Sequence, residues 1–178
     1  EDGSMQGLLT QLSLPYVGPD VLGSSAAMDK DVAKRLLTEA GIANSPFRTF
    51  HRHQRTEIQF EELAGELKLP LFVKPARMGS SVGVSKVTNE TELEVAVDLA
   101  FRFDRKILIE EGIVGREIEC AVLGNERPQA SVIGEVVPPG GFYDYEAKYI
   151  SADGAKLLLP APNLNDNEIS RIQAEAVR

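Results

Sequence analysis

The sequence predicts an α+β fold, and three observations carry that prediction. Short apolar runs of strand character, 69–74 and 106–110, are separated by longer segments with helical spacing. Two further runs, 117–123 and 129–137, are joined by the turn Gly124-Asn125-Glu126-Arg127-Pro128, which suggests an antiparallel pair. Finally, the run ending at Lys74 passes straight into a glycine- and serine-bearing turn before the next strand.

In chain order, Gly7 to Leu12 have helical spacing, Pro15 closes that segment, and 15–18 reads as a short strand and turn. Ser24 or Ser25 is placed to cap a helix running through Met28, Val32, Leu36 and Leu37 to Gly41, where a residue without Cβ permits a left-handed stop. Residues 47–50 read as a strand, 56–67 as a helix, and 69–74 as a buried strand broken by Pro75. The alternation in 82–87 is that of a strand, and Asn89 with Glu92 has capping-box spacing before a helix over 93–100. After the strands 106–110, 117–123 and 129–137, residues 140–155 are polar, aromatic and glycine-bearing without periodicity, which marks a functional loop more than a passive connection. The apolar segment 156–159 and a helix from Asn167 complete the order, with no internal repeat or low-complexity tract.

With 178 residues, 43% hydrophobic and 26% charged, the chain can bury a sizeable core. A net charge of −8 and a pI near 4.9 argue against a general nucleic-acid or anionic-membrane binder, because phosphate backbones are held by clustered Lys and Arg. Any polyanion bound here must be met by a local cluster. No stretch approaches the roughly 20 apolar residues that a membrane helix needs. The single cysteine, Cys120, lies in the apolar run 118–122 and reads as a buried, inert thiol. The chain opens on Glu1 rather than Met and stops at Arg178 inside a helical pattern, so both ends read as cut.

The strongest local signal for chemistry is Lys74-Pro75-Ala76-Arg77-Met78-Gly79-Ser80-Ser81-Val82-Gly83. Glycines let backbone N–H groups turn toward one anion, hydroxyls add donors, and a lysine at the strand end supplies charge. It is not a P-loop, since Gly-x-x-x-x-Gly-Lys-Ser/Thr is absent. Taken alone, such a turn is more often an ordinary hairpin. The second signal is Ile109-Glu110-Glu111-Gly112-Ile113 followed by Gly115-Arg116-Glu117, a hydrophobic strand ending in paired carboxylates. Those carboxylates can read an adenine amine and ribose hydroxyls; they can equally be solvated, ligate a metal or act as acid and base. His51 and His53 are assigned to an exposed connection.

In combination, Met28-Asp29-Lys30, Phe72-Val73-Lys74-Pro75, Gly79-Ser80-Ser81-Val82-Gly83, Ile109-Glu110-Glu111-Gly112 and Gly115-Arg116-Glu117 resemble the ATP-grasp fold, specifically the D-alanine–D-alanine ligases. The opening 1–7 resembles the substrate-side loop of those ligases, and Phe142-Tyr143-Asp144-Tyr145-Glu146-Ala147-Lys148-Tyr149 their omega loop, so the match spans the chain. The resemblance implies three regions: 1–19 as the end of an N-terminal substrate-side domain, 20–112 as a central ATP-grasp subdomain, and 113–178 as the first part of the C-terminal catalytic domain. The nucleotide would be held between two α+β subdomains.

Carried over residue by residue, the resemblance implies that Lys30 and Lys74 hold ATP phosphates, Ser80, Ser81 and Val82 cover them, and Lys148 approaches the terminal phosphates. Glu110 would accept from the adenine amine, the backbone of Glu111, Gly112 and Ile113 would line the base, and Glu117 would receive the ribose hydroxyls. Ser80 and Tyr149 would form a catalytic hydroxyl pair that links the glycine-rich turn to the omega loop; read without the resemblance, Tyr149 is an aromatic anchor for a loop. Glu1 would lie near the first substrate.

The implied reaction is ATP-dependent ligation of two D-alanine molecules through an acyl phosphate, for peptidoglycan precursors, by a cytoplasmic homodimer. Mg²⁺, or Mn²⁺, would be required, with its ligands expected after Arg178. Two other functions stay open. One is a D-alanine–D-lactate ligase, against which the Glu146-Ala147-Lys148-Tyr149 pattern speaks. The other is an ATP-binding module without catalysis.

Overall fold

The computed structural model describes residues 2–138 and 155–178, which form two compact units, Glu1–Ile113 and Val114–Arg178. The first unit is built on a four-stranded antiparallel sheet in the order β1-β4-β2-β3, with β1 at Phe47–His51, β2 at Leu71–Pro75, β3 at Ser85–Val87 and β4 at Lys106–Glu111. Its helices are α1 (Ser4–Gln11), α2 (Val21–Met28), α3 (Lys30–Glu39), α4 (Phe60–Leu67) and α5 (Glu90–Phe103).

The period-2 alternation of strands gives this sheet two different faces. Directly paired residues share a face, so the registers Phe50↔Ile107, Val73↔Ile109 and Leu71↔Val87 gather one apolar face. Against it pack Leu63 and Leu67 of α4 and Leu93, Ala96, Val97 and Ala100 of α5, all buried in one core. The registers Phe47↔Glu110↔Phe72 and Thr49↔Leu108↔Lys74, with Lys106 one step further along β4, place the charged Glu110, Lys74 and Lys106 on the opposite face among Phe47, Phe72 and Leu108. Helix α3 meets that face through charged side chains, as described below.

Local caps explain where the helices begin. Asn89 accepts from the Glu92 N–H at 3.0 Å, and Glu92 reaches back to the Thr88 N–H at 2.7 Å, one residue before the cap. The expected helix over 24–41 is instead two. Asp29 is extended (φ −83°, ψ 101°) and its carboxylate accepts from the N–H groups of Asp31 and Val32, so it ends α2 and opens α3. Asp20, not Ser24 or Ser25, caps α2 by accepting from Gly23 at 2.8 Å, while Ser24 is buried within the helix. Gly41 does supply the left-handed stop, at φ 71°.

Other boundaries shift for similar reasons. The helix expected over 56–67 divides into a 3-10 turn, Arg52–Glu57, and α4, with extended Ile58 and Gln59 between them. Residues 15–18 form bends and no strand, and 82–84 belong to the glycine-rich turn, leaving only Ser85–Val87 as β3. His51 and His53 are exposed with stacked rings; His53 lies in the 3-10 turn, but His51, expected on a connection, is the last residue of β1 and pairs with Lys106.

The second unit contains a three-stranded sheet, β5-β8-β9 (Glu117–Glu119, Gly134–Val137, Lys156–Leu158), a two-stranded pair, β6 with β7 (Val122–Leu123, Gln129–Ala130), and helix α6 (Asp166–Val177). The two long strands expected over 117–123 and 129–137 are antiparallel, but each is interrupted. At the break, Ser131 donates its N–H to Ala121 O and accepts from the Ala121 N–H on its hydroxyl, so a side chain replaces a ladder bond. Cys120 lies beside this break and is half-buried rather than enclosed. Asn165 and Glu168 form the capping box of α6, and Gln173 on that helix donates to Ser131 O at 2.9 Å. Among the described residues no helix is long and apolar enough to cross a membrane.

Candidate nucleotide site

Three segments of the first unit meet beside the polar face of its sheet: the start of α3, the strand end and turn at 74–84, and β4. Lys30, the first residue of α3, is tied to the turn twice. Its backbone N–H donates to Ala76 O at 3.0 Å, and its ammonium donates to Met78 O at 2.6 Å and Pro75 O at 3.2 Å. Burial and the nearby Lys74 ammonium pull the Lys30 pKa below its ordinary value, although Glu110, Asp104 and Asp29 partly oppose them.

Lys74 and Glu110 project from neighbouring strands on the same face and form an ion pair through Oε1. The other carboxylate oxygen, Oε2, is 3.0 Å from the ammonium of Lys34, one helical turn along from Lys30. Burial pushes the Glu110 carboxyl up, but Lys74 and Lys34 outweigh it and hold it below the usual glutamate range. Lys106, on the same face, is spent on Asp29 at 2.8 Å and Asp31 at 3.1 Å. Glu110 is thus paired with two ammonium groups and lies in the field of a third, that of Lys30, in a chain of net charge −8. That is the local cluster a polyanion needs.

The turn beside it is held in an uncommon shape. Ser80 (φ 54°), Ser81 (φ 57°) and Gly83 (φ 70°) all occupy the left-handed region, and Val82 N–H→Gly79 O and Val84 N–H→Ser81 O close two tight bonds. For the two serines this conformation carries strain that the surroundings must sustain. Gly83 is required twice over, because an added Cβ would also fall 2.7 Å from the Phe103 ring.

One anchor for the turn is Asp104, which lies between α5 and β4 and is buried. Its carboxylate accepts from the Arg77 N–H at 2.9 Å, Arg77 Nε at 3.2 Å and NH2 at 2.6 Å, and from the N–H groups of Arg105 and Lys106. Burial raises this carboxyl, yet Arg77 and the backbone donors hold it below its ordinary value.

The expected site residues fall as follows. Lys30, Lys74 and Glu110 are brought together, with Ser80, Ser81 and Val82 in the adjoining turn. The N–H groups of Glu111 and Gly112 are already committed to Pro46 O and Pro70 O, so a base lined by 111–113 would meet carbonyls or the exposed Ile113. Glu117 opens β5 in the second unit and is exposed. Its neighbour Arg116 makes a two-pronged contact with buried Glu135 at 2.8 and 2.7 Å and donates to Pro162 O. Glu1, Lys148 and Tyr149, with all but the last residue of the loop 140–155 expected to carry the last two, lie outside the described residues.

Lys34, Asp104 and Lys106 were not expected at the site. Lys34 had one available signal, its i+4 spacing from Lys30, which puts both on one helix face. Among the described residues there is no cluster of three or more His, Cys, Asp or Glu that could hold a metal ion.

The two units and their glycine-rich turn have the ATP-grasp fold. The family model described as D-ala D-ala ligase C-terminus matches residues 36–178. D-alanine--D-alanine ligase A of Escherichia coli K12 is 58% identical over 181 residues, covering all of this chain and 49% of that protein. The D-alanine--D-alanine ligase of Proteus mirabilis is 55% identical over 170 residues, covering 96% of this chain and 46% of that protein. The crystal structure of the VanG D-Ala:D-Ser ligase from Enterococcus faecalis superimposes with a TM-score of 0.87 at 40% identity, over 99% of this chain and 51% of that one. The chain belongs to the D-alanine–D-alanine ligase family, and it spans about half the length of the curated relatives it matches.

Proposed function

We propose that the protein joins two D-alanine molecules at the expense of ATP, supplying D-alanyl-D-alanine for peptidoglycan. ATP transfers its terminal phosphoryl group to the carboxylate of the first D-alanine, giving ADP and an acyl phosphate. The amine of the second D-alanine attacks that carbonyl, sheds a proton, and expels phosphate as the peptide bond forms. Lys30 and Lys74 neutralise the ATP phosphates, Ser80, Ser81 and Val82 cover them, and Lys148 joins from 140–154. Glu110 accepts from the adenine amine, 111–113 line the base, and Glu117 takes the ribose hydroxyls. Ser80 and Tyr149 act at the substrates, Glu1 lies near the first D-alanine, and closure over the acyl phosphate keeps water from it.

The observation that carries this reading is the pair of ammonium groups of Lys30 and Lys74, the latter paired with Glu110, set against a serine-bearing turn. Magnesium is the expected partner of ATP, held by ligands beyond the described residues. A homodimer in the cytoplasm, where ATP and the amino-acid substrates are available, completes the proposal. D-serine is the second acceptor worth testing, because a solved relative at 40% identity is a D-Ala:D-Ser ligase.

Single-turnover phosphate release by the full-length protein with Mg-ATP tests the reading, with D-alanine alone or paired with D-serine, D-lactate or L-alanine, and products identified by mass. Dipeptide from D-alanine alone, with little product from the other acceptors, is the expected result. Mixed D-alanyl-D-serine as the main product promotes the serine reading, depsipeptide promotes the lactate ligase, and ATP binding without ligation leaves a nucleotide-binding module.

A further inference from the structure

We propose that Lys34 is a positioning residue for base recognition: from α3 it keeps the Glu110 carboxylate fixed on the sheet face while Lys74 releases it to reach nucleotide phosphate. The inference rests on the reading of Glu110 as acceptor of the adenine amine.

In the structure both oxygens of Glu110 are engaged, Oε1 by Lys74 and Oε2 by Lys34 at 3.0 Å. The two lysines are not equivalent. The Lys34 side chain is 13% exposed, donates to Ser45 Oγ at 2.6 Å and lies over the Phe47 ring at 5.0 Å, so it is fixed from three sides. The Lys74 side chain also lies over a ring, that of Phe72 at 5.6 Å, but it is 26% exposed and precedes the glycine-rich turn, where it can exchange one anion for another. A phosphate that draws Lys74 away would leave a buried carboxylate without a cation if Lys74 were its only partner.

Lys34 removes that conflict. With one oxygen held, Glu110 stays ionised and oriented, and the lone pairs freed by Lys74 are turned to the adenine amine. Base recognition and phosphate recognition then no longer compete for one ammonium. Lys34 touches neither base nor phosphate in this scheme; it acts through Glu110.

The test compares K34M, K34R and E110Q in the full-length protein, using steady-state ligation with ATP and GTP at saturating D-alanine. Guanine carries a carbonyl where adenine carries the amine, so an acceptor such as Glu110 favours ATP. K34M is expected to raise KM for ATP about tenfold, the range for a lost charge-assisted hydrogen bond, and to lower the ATP-over-GTP preference by a similar factor. Its kcat at saturating ATP and its KM for D-alanine should stay near the parent's, and K34R should recover most of the ATP KM. K34Q serves as the second variant where K34M does not fold.

An unchanged ATP KM and preference in K34M overturns the inference, as does an equal loss with both nucleotides. Loss of preference in E110Q with retention in K34M leaves base recognition standing and removes Lys34 from it. Retention of preference in E110Q removes the reading of Glu110 itself, and the Lys34 inference with it.

Discussion

Replacing Asp104 by alanine should loosen the glycine-rich turn from its anchor, and the structure sets the size of the effect. The carboxylate accepts five hydrogen bonds, two from the Arg77 guanidinium and three from backbone N–H groups of Arg77, Arg105 and Lys106. Breaking a buried charge pair costs roughly 3–5 kcal/mol, and the half-exposed Arg77 side chain, which can turn to water, places the expected loss near the lower end. For a unit of this size about 3 kcal/mol lowers Tm by roughly 10–20 °C. D104N keeps one acceptor oxygen and should lose less. Because the folded carboxyl is held below its ordinary value of 3.8, its stabilisation is complete above pH 3.8 and is lost as pH falls through the depressed value. The difference between parent and D104N should therefore narrow below pH 3.8. Urea and thermal unfolding followed by circular dichroism, from neutral pH downward, measure both effects. A D104A variant within about 1 kcal/mol of the parent would refute the account of Asp104 as the anchor.

Further outcomes follow from the geometry and from the proposed roles. Gly112→Ala would put a Cβ 2.7 Å from Pro70 O and 2.8 Å from the Phe72 ring, and should cost about 1–3 kcal/mol in unfolding while raising KM for ATP; an unchanged melting curve would show that this junction gives way easily. Lys74→Ala should weaken ATP binding in calorimetry, whereas Tyr149→Phe should reduce turnover more than nucleotide affinity, and parental kinetics in either variant would remove that residue from the site. Since burial and Lys74 lower the Lys30 pKa, the free protein sheds that proton in a window below 10.5, and ATP binding within the window should restore it. The binding enthalpy should then vary with the ionisation enthalpy of the buffer, and its independence of buffer there would count against Lys30 as a phosphate ligand.

Much of the fold was legible because its strands and helices are bounded by strong local signals. Pro75 after Val73-Lys74, Gly41 after Leu36-Leu37, and Asn89 with Glu92 each act within a few residues and mark boundaries close to those observed. The misplacements came from competition between local bonds that periodicity does not record. The apolar spacing continues from Met28 to Leu37, but the Asp29 carboxylate satisfies two helix-start N–H groups and so divides the helix. In 117–123 and 129–137 the composition is that of continuous strands, and the Ser131 hydroxyl substitutes for a ladder bond at the break. Neither substitution changes the apolar pattern.

The site divides along the same line. Lys74 and the Gly79-Ser80-Ser81 turn stand out in the sequence because charge and glycine are adjacent there, Glu110 stands out as one of two carboxylates at a strand end, and the resemblance to a family supplied Lys30 and chose among the open roles of Glu110. The partners Lys34 and Asp104 gain meaning only once the registers are known. Alternation along β4 sends Lys106, Leu108 and Glu110 to one face and Ile107 and Ile109 to the core, so the same six-residue strand builds stability on one side and charge on the other. A slip of one residue would bury Lys106 and Glu110 in the core and expose two isoleucines, so the apolar core itself enforces the register that the charged face needs. Helix α3 completes this dependence, since Asp29 and Asp31 neutralise Lys106 and Lys34 shares Glu110 with Lys74, while Lys30, from the same helix, is held on carbonyls of the turn. The cationic character of the site thus arises from which lysines are left unneutralised, not from an abundance of lysine in the chain.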